Sequence, residues 1–444
     1  MRNGLNEVKM RFPEVGRILE AALIAADPAF AVKNGLHSLQ VDGVLPGGQT
    51  IGLVAMGKAS IPMARAACDI LGEQIKGGIV IGKILPEGID SLLPGLTVLS
   101  GSHPIPDERS LTAGHSVTGF LQNNNGLDLI LFLISGGASA LVTRPADGIS
   151  LDDMKSVTSL LLGCGASIDE INTVRKHLDQ VKGGGLARFA APVPCVTLVL
   201  SDVPGDRLDM IASGPTVPDL TTFRDAASVL SKYALIDTVP GSVREHLNLG
   251  SMGIIPETPK PGDEIFRRNR VMIVGSLERS IEAAIHEAEN AGYSCERIQP
   301  LLQGEAAGQG NRLGRFLADQ AALTQSGARR CWIAGGETTV TLGDGPAGKG
   351  GRNQELALAA VDELDGARNA TLVAFATDGD DGLSPAAGAI VTGNTKATAS
   401  QHGLDPSAYL ARHDSYTFFS ALDLVIVTGP TGTNVNDLVL LLIN

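Results

Sequence analysis

The segment from Leu127 to Val142, LDLILFLISGGASALV, constrains the fold of this chain more than any other part of its sequence. Its first half, Leu127 to Ile134, is apolar apart from Asp128, which is typical of a strand buried on both faces of a parallel sheet. The residues that follow directly are Ser135, Gly136, Gly137, Ala138 and Ser139. Such small residues let the backbone turn tightly and leave amide groups facing a ligand, so an anion site can form there. A turn from strand to helix without a ligand explains the same residues equally well.

Length and charge limit the classes of protein to which this chain can belong. At 444 residues the chain is too long for one compact core, which predicts two domains. Its 54 glycines and 4% aromatic residues are typical of a turn-rich α/β protein. The net charge of -13 argues against nucleic acid or an anionic membrane surface as the partner. An anionic small molecule stays open, because a local cluster of cations can outweigh the overall charge.

The cysteines and the apolar segments predict the compartment. The five cysteines are scattered and form no C-x-x-C pair, which is typical of reduced thiols in the cytosol. The first residues, MRNGLNEVKMRF, contain no signal-peptide core, and no apolar run is long enough to span a bilayer. We therefore predict a soluble, cytoplasmic protein with no membrane partner.

A lysine follows the first clear strand, which is predicted from Thr50 to Met56. The residues from Gly52 to Lys58 nearly match a P-loop, but the first glycine lies within the apolar run. Ala59 also stands where a P-loop places the Ser or Thr that holds Mg²⁺. Lys58 therefore lies at the carboxyl end of a strand, where open parallel sheets bind ligands. This position favours a functional lysine over a solvated surface lysine.

Two carboxylates, Asp202 and Asp206, follow the apolar strand from Cys195 to Leu200. Their place on a Pro-Gly turn suits Mg²⁺ coordination or a catalytic base, and capping of the turn is the structural alternative. The basic segment from Val174 to Gly185 either contacts phosphates or ends a helix. His103 lies beside two prolines with no metal-ligand spacing nearby, which favours a structural histidine.

Prolines and glycines mark a boundary between two halves of the chain. We predict an N-terminal domain over 1–240, a linker over 241–269 and a C-terminal domain over 270–444. In both halves short apolar strands end in glycine-rich polar loops, which predicts an α/β protein with two parallel sheets. Because such loops gather at one face of each sheet, a cleft between the two loop faces is the predicted site.

A glycine-rich segment of the C-terminal half carries two cations. Residues 343–348 match G-x-G-x-x-G, but no helix begins directly after them and no ribose-binding acid follows at the expected distance. Lys349 and Arg352 lie between this run and a helix predicted over 354–361, a pattern that suits a clamp over an anion. The sequence has no G-x-S-x-G, H-E-x-x-H or C-x-x-C motif, which disfavours serine hydrolase, zinc and thiol redox chemistry.

Several motifs, in order along nearly the whole chain, resemble those of the glycerate 2-kinases whose C-terminal part is called the MOFRL domain. In the N-terminal half the matching motifs are Met56-Gly57-Lys58-Ala59, Ser135-Gly136-Gly137-Ala138-Ser139-Ala140, Val174-Arg175-Lys176-His177-Leu178, Ser201-Asp202-Val203-Pro204-Gly205-Asp206 and Ala212-Ser213-Gly214-Pro215-Thr216. In the C-terminal half they are Gly335-Gly336-Glu337-Thr338-Thr339, Gly350-Gly351-Arg352-Asn353-Gln354-Glu355, Thr377-Asp378-Gly379 with Asp381-Gly382, and Thr428-Gly429-Pro430-Thr431-Gly432-Thr433-Asn434.

The resemblance implies transfer of the ATP γ-phosphoryl group to the 2-hydroxyl of D-glycerate with Mg²⁺. The active site would lie between a Rossmann-like N-terminal domain of α/β/α layers and a smaller α/β C-terminal domain. The implied catalytic residues are Lys58, Asp202 and Arg352. The implied nucleotide contacts are Ser135, Gly136, Gly137, Ala138, Ser139, Gly335, Glu337, Thr428 and Asn434. The implied magnesium ligands are Asp202, Asp206 and Asp378. The expected partner is the substrate, and a homodimer stays open.

Two other functions stay open at the level of sequence. An NAD(P)H-dependent hydroxypyruvate reductase would need a convincing dinucleotide fingerprint with its ribose-binding acid, and the sequence shows none. A two-domain binding protein without catalysis would need neither a carboxylate at Asp202 nor a cation at Arg352, and both are present.

Overall fold

The computed structural model describes residues 5–123, 126–343 and 346–444 in two compact units. One unit is Pro28–Val274, and the other joins residues 5–27 to Gly275–Asn444. Asp344 and Gly345, which belong to the G-x-G-x-x-G match, lie outside the described residues.

The elements are numbered in chain order. The α-helices are α1 (Asn6–Arg11), α2 (Pro13–Ala25), α3 (Pro28–Val41), α4 (Ser60–Leu71), α5 (Ile89–Leu92), α6 (Glu108–Gln122), α7 (Ala138–Leu141), α8 (Leu151–Gly163), α9 (Ile168–Leu178), α10 (Gly185–Ala190), α11 (Phe223–Lys232), α12 (Gly241–Ser251), α13 (Leu277–Asn290), α14 (Ala306–Leu323), α15 (Arg352–Glu363), α16 (Thr395–Gln401), α17 (Pro406–Leu410) and α18 (Ser415–Ala421). The strands are β1 (Ile51–Met56), β2 (Ile75–Gly82), β3 (Thr97–Ser100), β4 (Leu129–Ser135), β5 (Cys195–Leu200), β6 (Arg270–Gly275), β7 (Ser294–Arg297), β8 (Arg330–Gly336), β9 (Ala370–Ala376), β10 (Gly388–Thr392), β11 (Val425–Ile426) and β12 (Asp437–Ile443).

The sheet of the unit Pro28–Val274 has the strand order β3-β2-β1-β4-β5-β6. The pairs β3–β2, β2–β1, β1–β4 and β4–β5 are parallel. This is the order of the doubly wound dinucleotide-binding folds, in which the direction of winding reverses between β1 and β4. The Rossmann-like α/β architecture predicted for the N-terminal half is confirmed.

The central strands of this sheet are covered on both faces. Every residue of β1, β4 and β5 is buried, and side chains that alternate along a strand point to opposite faces. Helix α6 packs on the face that carries Val54 and Phe132. Helix α4 packs on β1, β2 and β4, and helix α3 packs on β5. The apolar run after Leu127 therefore forms the buried strand that its composition predicts.

The second sheet has the strand order β11-β10-β9-β12-β8-β7 and is mostly antiparallel. Only the pair β7–β8 is parallel among its described strands. The prediction of a second parallel sheet is therefore wrong. Strand β12 enters between β8 and β9 in the opposite direction, and β10 returns beside β9 after a connection that contains no helix.

The observed division of the chain differs from the predicted boundaries of 1–240, 241–269 and 270–444. Strand β6, placed by the sequence at the start of the C-terminal domain, is the last strand of the first sheet. Residues 241–251 form α12, which packs on α9 and α11, so this part of the predicted linker belongs to the first unit. At the other end of the chain, α2 packs on α13 and so joins the second unit.

Across residues 5–123, 126–343 and 346–444, no helix combines the length and the apolar character that crossing a bilayer requires.

Candidate functional site

The glycine-rich loop that follows β4 lies beside the turn that follows β1. The Lys58 amide donates to the Gly136 carbonyl at 2.9 Å, and the Ala59 amide donates to Ser135 Oγ at 3.0 Å. These two turns end the two strands between which the strand order reverses, and doubly wound sheets bind ligands at this point. The structure thus brings Lys58 and the 135–139 loop together.

Asp202, at the end of β5, contacts the same loop. A Cβ at Gly136 would collide with Asp202 Oδ2, and a Cβ at Gly57 would collide with Ser135. Glycine is therefore required at Gly136 for the carboxylate to approach the loop backbone. Asp206 lies four residues further on, in the turn after β5, with a left-handed φ of 55°.

His103 approaches the loop from the segment after β3. A Cβ at Gly137, whose φ is 82°, would lie 2.9 Å from His103 Cδ2 and 3.4 Å from Lys58 Cγ. Burial lowers the pKa of His103, and the positive charges of Lys58 and Lys83 lower it further. A neutral imidazole therefore faces the loop beside Lys58, at a histidine for which the sequence favours a purely structural function.

Arg175, on α9, reaches the far end of the loop. Its Nη2 donates to Ser139 Oγ at 3.0 Å. Lys182, by contrast, is 2% exposed and donates to Asp179 Oδ2 at 2.6 Å. The hypothesis that the basic segment from Val174 to Gly185 contacts phosphates is therefore wrong for Lys182, because an internal carboxylate already binds its ammonium group.

A second group of charged side chains lies in the other unit, at the edge where β8 and β9 end. Arg352 Nε and Nη2 donate to Asp437 Oδ2 and Oδ1 at 2.5 and 3.0 Å, and Arg352 Nη1 lies 2.9 Å from Glu337 Oε1. Asp437 begins β12 and stands opposite Gly336 of β8 and Ala376 of β9. The antiparallel β12 thus carries a carboxylate to the edge at which its neighbours end.

The Arg352–Asp437 pair is largely shielded from water. Burial raises the pKa of Asp437 to about 6, although its hydrogen bonds to Arg352 act in the opposite direction. Burial alone would lower the pKa of Arg352, but the bonds to Asp437 outweigh it and raise that pKa. The pair is therefore ionised at neutral pH, and Arg352 is held in place by two carboxylates.

Asp381 fixes the start of α15, whose first residue is Arg352. Its Oδ1 accepts from the Asn353 amide at 3.0 Å, and its Oδ2 accepts from the Gln354 amide and from Gln354 Nε2, both at 2.8 Å. Asp381 is 2% exposed, and burial raises the pKa of its carboxyl group. Asp381 therefore caps the first turn of α15 from a distant part of the sequence and fixes the position of Arg352 at the start of that helix.

A cavity of about 610 Å³ opens beside this edge. Its charged lining consists of Glu337, Arg352, Glu355, Asp378, Asp380 and Asp381, together with the imidazole of His413. The Asp378 carbonyl accepts from the Thr431 amide at 3.1 Å, which joins the loop after β9 to the loop before β12. The cavity lining is thus rich in carboxylates, and the guanidinium of Arg352 contributes a positive charge to it.

Three further predicted nucleotide contacts have local explanations. Gly335 lies inside β8, where a Cβ would come within 2.8 Å of Leu277 and Ile281 of α13, so close packing accounts for glycine there. Thr428 Oγ1 donates to the Gly429 carbonyl at 2.8 Å. Asn434 Oδ1 accepts from the Asn436 amide at 3.0 Å.

The predicted magnesium ligands belong to different units. Asp202 and Asp206 lie in Pro28–Val274, and Asp378 lies in the other unit. Within the part of the chain that the structure describes, no group of three or more His, Cys, Asp or Glu side chains could hold a metal ion. Asp202 remains the predicted ligand that lies against the glycine-rich loop.

Four residues beside the glycine-rich loop or Arg352 could not be assigned to a site from the sequence. Asp437 and His103 are single residues without a motif, and only the fold brings them to their partners. Asp381 and Arg175 stand within quoted motifs, but nothing in the sequence indicates which member of a motif faces the site.

Two family models match this chain. A domain of unknown function, DUF4147, matches residues 14–248, and the MOFRL family matches residues 330–437. A glycerate 2-kinase of Pyrococcus horikoshii is 39% identical over 98% of both chains. The crystal structure of a glycerate kinase from Thermotoga maritima has a TM-score of 0.85 and 38% identity, and covers 96% of this chain and 98% of its own. A relative from Agrobacterium vitis, 40% identical over 96% of this chain and 93% of its own, has a provisional name as a hydroxypyruvate reductase.

The strand order and the glycine-rich loop at its reversal define a two-unit α/β protein whose charged side chains gather at strand ends. Since its relatives match over nearly their full length, the chain belongs to the glycerate kinase family that contains the MOFRL domain.

Proposed function

We propose that this protein is a glycerate 2-kinase, which transfers the γ-phosphoryl group of ATP to the 2-hydroxyl of D-glycerate. The observation that carries the proposal is the gathering of Lys58, His103 and Asp202 around the backbone of the 135–139 loop. Phosphoryl transfer needs positioned groups and neutralised charge. The amides of this loop can position phosphate oxygens, and the Lys58 ammonium group can neutralise their charge. The relatives named glycerate 2-kinase support the substrate.

The proposal gives each residue of the first unit a separate task. Amides of the 135–139 loop and the Lys58 ammonium group bind phosphate oxygens, because each is a donor at the point where doubly wound sheets bind ligands. Asp202 accepts the proton of the glycerate hydroxyl or binds Mg²⁺. Its contact with Gly136 supports either task, since it holds the carboxylate against the loop.

Arg352 is proposed to neutralise a phosphoryl or carboxylate oxygen. All three of its nitrogens already face carboxylates, but the Glu337 side chain is 47% exposed whereas that of Asp437 is 6% exposed. A substrate anion can therefore replace Glu337 at Nη1 while Asp437 keeps the guanidinium in place. Glu337 then occupies the position at Arg352 Nη1 that the substrate anion would take, and it is not a nucleotide contact.

ATP, Mg²⁺ and a cytoplasmic location are part of the same proposal. Mg²⁺ needs only one or two carboxylates when phosphates supply its other ligands, so the Asp202 carboxylate at the loop fits it. When bound, the ion would neutralise charge on the phosphates. Five cysteines without a disulfide support a reducing compartment. The other predicted nucleotide and metal contacts, including Asp206 and Asp378, stay predictions.

A hydroxypyruvate reductase is the second candidate, because the Agrobacterium vitis relative has that provisional name. NAD-binding folds of this strand order place a ribose-binding acid about 20 residues after the first glycine turn. Here the turn contains Gly57, and the residues from Ile75 to Lys83 contain neither Asp nor Glu. The kinase therefore fits the first unit better.

Two assays on the purified protein decide between these functions. The kinase predicts ADP formation that requires D-glycerate, and the reductase predicts NADH oxidation that requires hydroxypyruvate. Lys58→Ala and Arg352→Ala should each lower kcat about a hundredfold, as expected for preorganised charges. Lys155→Ala, which removes a partly exposed lysine paired with Asp152 on α8, is the matched control and should leave turnover unchanged. Near-native turnover of both active-site variants would contradict the assignment.

A further inference from the structure

We infer that Arg175 is a further substrate-binding residue of the proposed kinase, whose guanidinium binds an anionic oxygen pair of a substrate at the Ser139 end of the glycine-rich loop. This inference rests on the proposed function and adds a residue to its site. The anionic group is either the carboxylate of D-glycerate or a phosphate of the nucleotide, and the two share the geometry that an arginine fork recognises.

The first observation is that Arg175 is a partly buried cation without a carboxylate partner among the described residues. Its side chain reaches Ser139, where Nη2 lies 3.0 Å from Oγ and 3.4 Å from the carbonyl oxygen. Burial lowers the pKa of Arg175, against the attraction of Asp179. Among residues 5–123, 126–343 and 346–444, no carboxylate oxygen forms an ion pair with it. A cation that is partly withdrawn from water and has no carboxylate partner is suited to bind the anionic group of a ligand.

The second observation is that Asp179, the carboxylate that attracts Arg175, already accepts two hydrogen bonds at each of its oxygens. Its Oδ2 accepts from Lys182 Nζ at 2.6 Å and from Thr143 Oγ1 at 2.5 Å. Its Oδ1 accepts from the Val181 amide at 3.0 Å and from the Arg144 amide at 3.2 Å. The charges of Asp179 and Lys182 cancel, and the positive charge of Arg175 is left over.

The third observation is that the hydroxyl beside Arg175 is itself held in place. Ser213 Oγ donates to Asn172 Oδ1 at 3.0 Å, so the hydrogen between Ser139 Oγ and Ser213 Oγ, 3.0 Å apart, comes from Ser139. Ser139 Oγ can then accept from Arg175 without competition. This series of hydrogen bonds fixes one edge of the Arg175 guanidinium.

The remaining N–H groups of Arg175 are available to a ligand. A guanidinium has five N–H donors, and the hydrogen bonds to the described residues use only those on Nη2. Arg175 is partly buried, and neither Nε nor Nη1 is a fully buried atom without a partner. Both nitrogens therefore retain access to solvent. One edge of the fork is therefore anchored by protein, and the other can bind two oxygens.

The test compares Arg175→Ala and Arg175→Lys with wild type and with Arg244→Ala. Arg244 is a matched control, because it is an exposed arginine of the same unit on α12, paired with the exposed Asp237. The kinetic constants are kcat and the separate KM values for D-glycerate and ATP. Circular dichroism and Tm check the fold, and Arg175→Lys serves if Arg175→Ala does not fold.

We expect loss of Arg175 to raise one KM by about ten- to a hundredfold, the usual effect of removing a hydrogen bond to a charged group. A rise in the KM for D-glycerate identifies the carboxylate, and a rise in the KM for ATP identifies a phosphate. Folded Arg175 variants that match Arg244→Ala in both KM values and in kcat would overturn the inference.

A titration without turnover separates this inference from the proposed function. If wild type does not phosphorylate D-glycerate, the proposed function fails, and calorimetry with inorganic phosphate then tests Arg175 alone. We expect phosphate to bind wild type and Arg244→Ala, but not Arg175→Ala. Equal binding to all three, or no binding to any, would overturn the anion site.

Discussion

At the scale of single residues, Gly136 decides whether Asp202 can lie against the loop. A methyl group there would collide with Asp202 Oδ2. We predict that Gly136→Ala displaces this carboxylate and lowers kcat about a hundredfold, because charges that act in phosphoryl transfer must be positioned in advance.

The control for this prediction is Gly119→Ala on α6, where a Cβ meets no atom within 4 Å. Alanine should stabilise that helix by about 1 kcal/mol and leave kcat unchanged. Steady-state kinetics and urea unfolding measure both effects. Full activity of a folded Gly136→Ala protein would mean that Asp202 is not held in its working position by the loop.

The Arg352–Asp437 pair predicts a pH dependence of activity. Because the pKa of Asp437 is about 6, acidification through this value protonates the carboxyl group and weakens its hold on Arg352. We predict that kcat/KM falls as the pH drops below about 6. In Asp437→Asn, overall activity should be low and this acid limb should be absent. An unchanged acid limb in the variant would assign it to another group.

The same carboxyl group affects stability with the opposite trend. Its pKa is higher in the folded protein than the value of about 3.9 in an unfolded chain, so the folded state binds the proton more tightly. Its contribution to the free energy of unfolding is therefore complete at low pH and is lost as the pH rises to about 6. Urea unfolding of wild type and Asp437→Asn across this window measures the difference.

The residues could be predicted to different extents. Lys58 and Asp202 follow apolar strands directly, and strand ends can be read from a sequence. The partner of Arg352 could not be found in this way, because Asp437 lies 85 residues away and forms a contact only through the register of β12.

At the scale of elements, the start of α15 sets the position of Arg352. Asp381 accepts two backbone amides of that first turn from the loop after β9. We predict that Asp381→Asn lowers the free energy of unfolding by about 2 kcal/mol, because a charged acceptor of several buried donors is lost. Faster hydrogen exchange at the Asn353 and Gln354 amides should accompany this loss. Unchanged exchange there would show that the helix start does not depend on the cap.

Strands were easier to predict than their partners. Apolar runs fix β1, β4 and β5 to within a few residues, because buried strands need little else. The direction of pairing depends on connections and on which strand fills the middle of the sheet. β12 fills that position in the second sheet, and no local pattern indicates it.

At the scale of the whole molecule, the second unit is built from both ends of the chain. Leu19 of α2 is fully buried in a cluster with Ile281 of α13 and Ile333 of β8. We predict that Leu19→Ala costs about 3 kcal/mol and accelerates hydrogen exchange in α13 and β8 more than in β1 and β4.

The matched control is Ile24→Ala on the same helix, since Ile24 is 45% exposed and should cost much less. Equal acceleration in all four elements would mean that the two units open together and that α2 does not stabilise the second unit selectively. The sequence predicts two domains correctly in number, but local composition cannot show that an N-terminal helix packs on a C-terminal unit.

The most direct test of the whole account is ³¹P NMR of the purified protein with ATP, Mg²⁺ and D-glycerate. A glycerate 2-kinase gives a 2-phosphoglycerate resonance that grows as ATP is consumed, and this resonance should be lost in Lys58→Ala. A 3-phosphoglycerate resonance would keep the kinase and contradict the position of transfer. Intact ATP, with NADH consumed in the presence of hydroxypyruvate, would contradict the kinase itself.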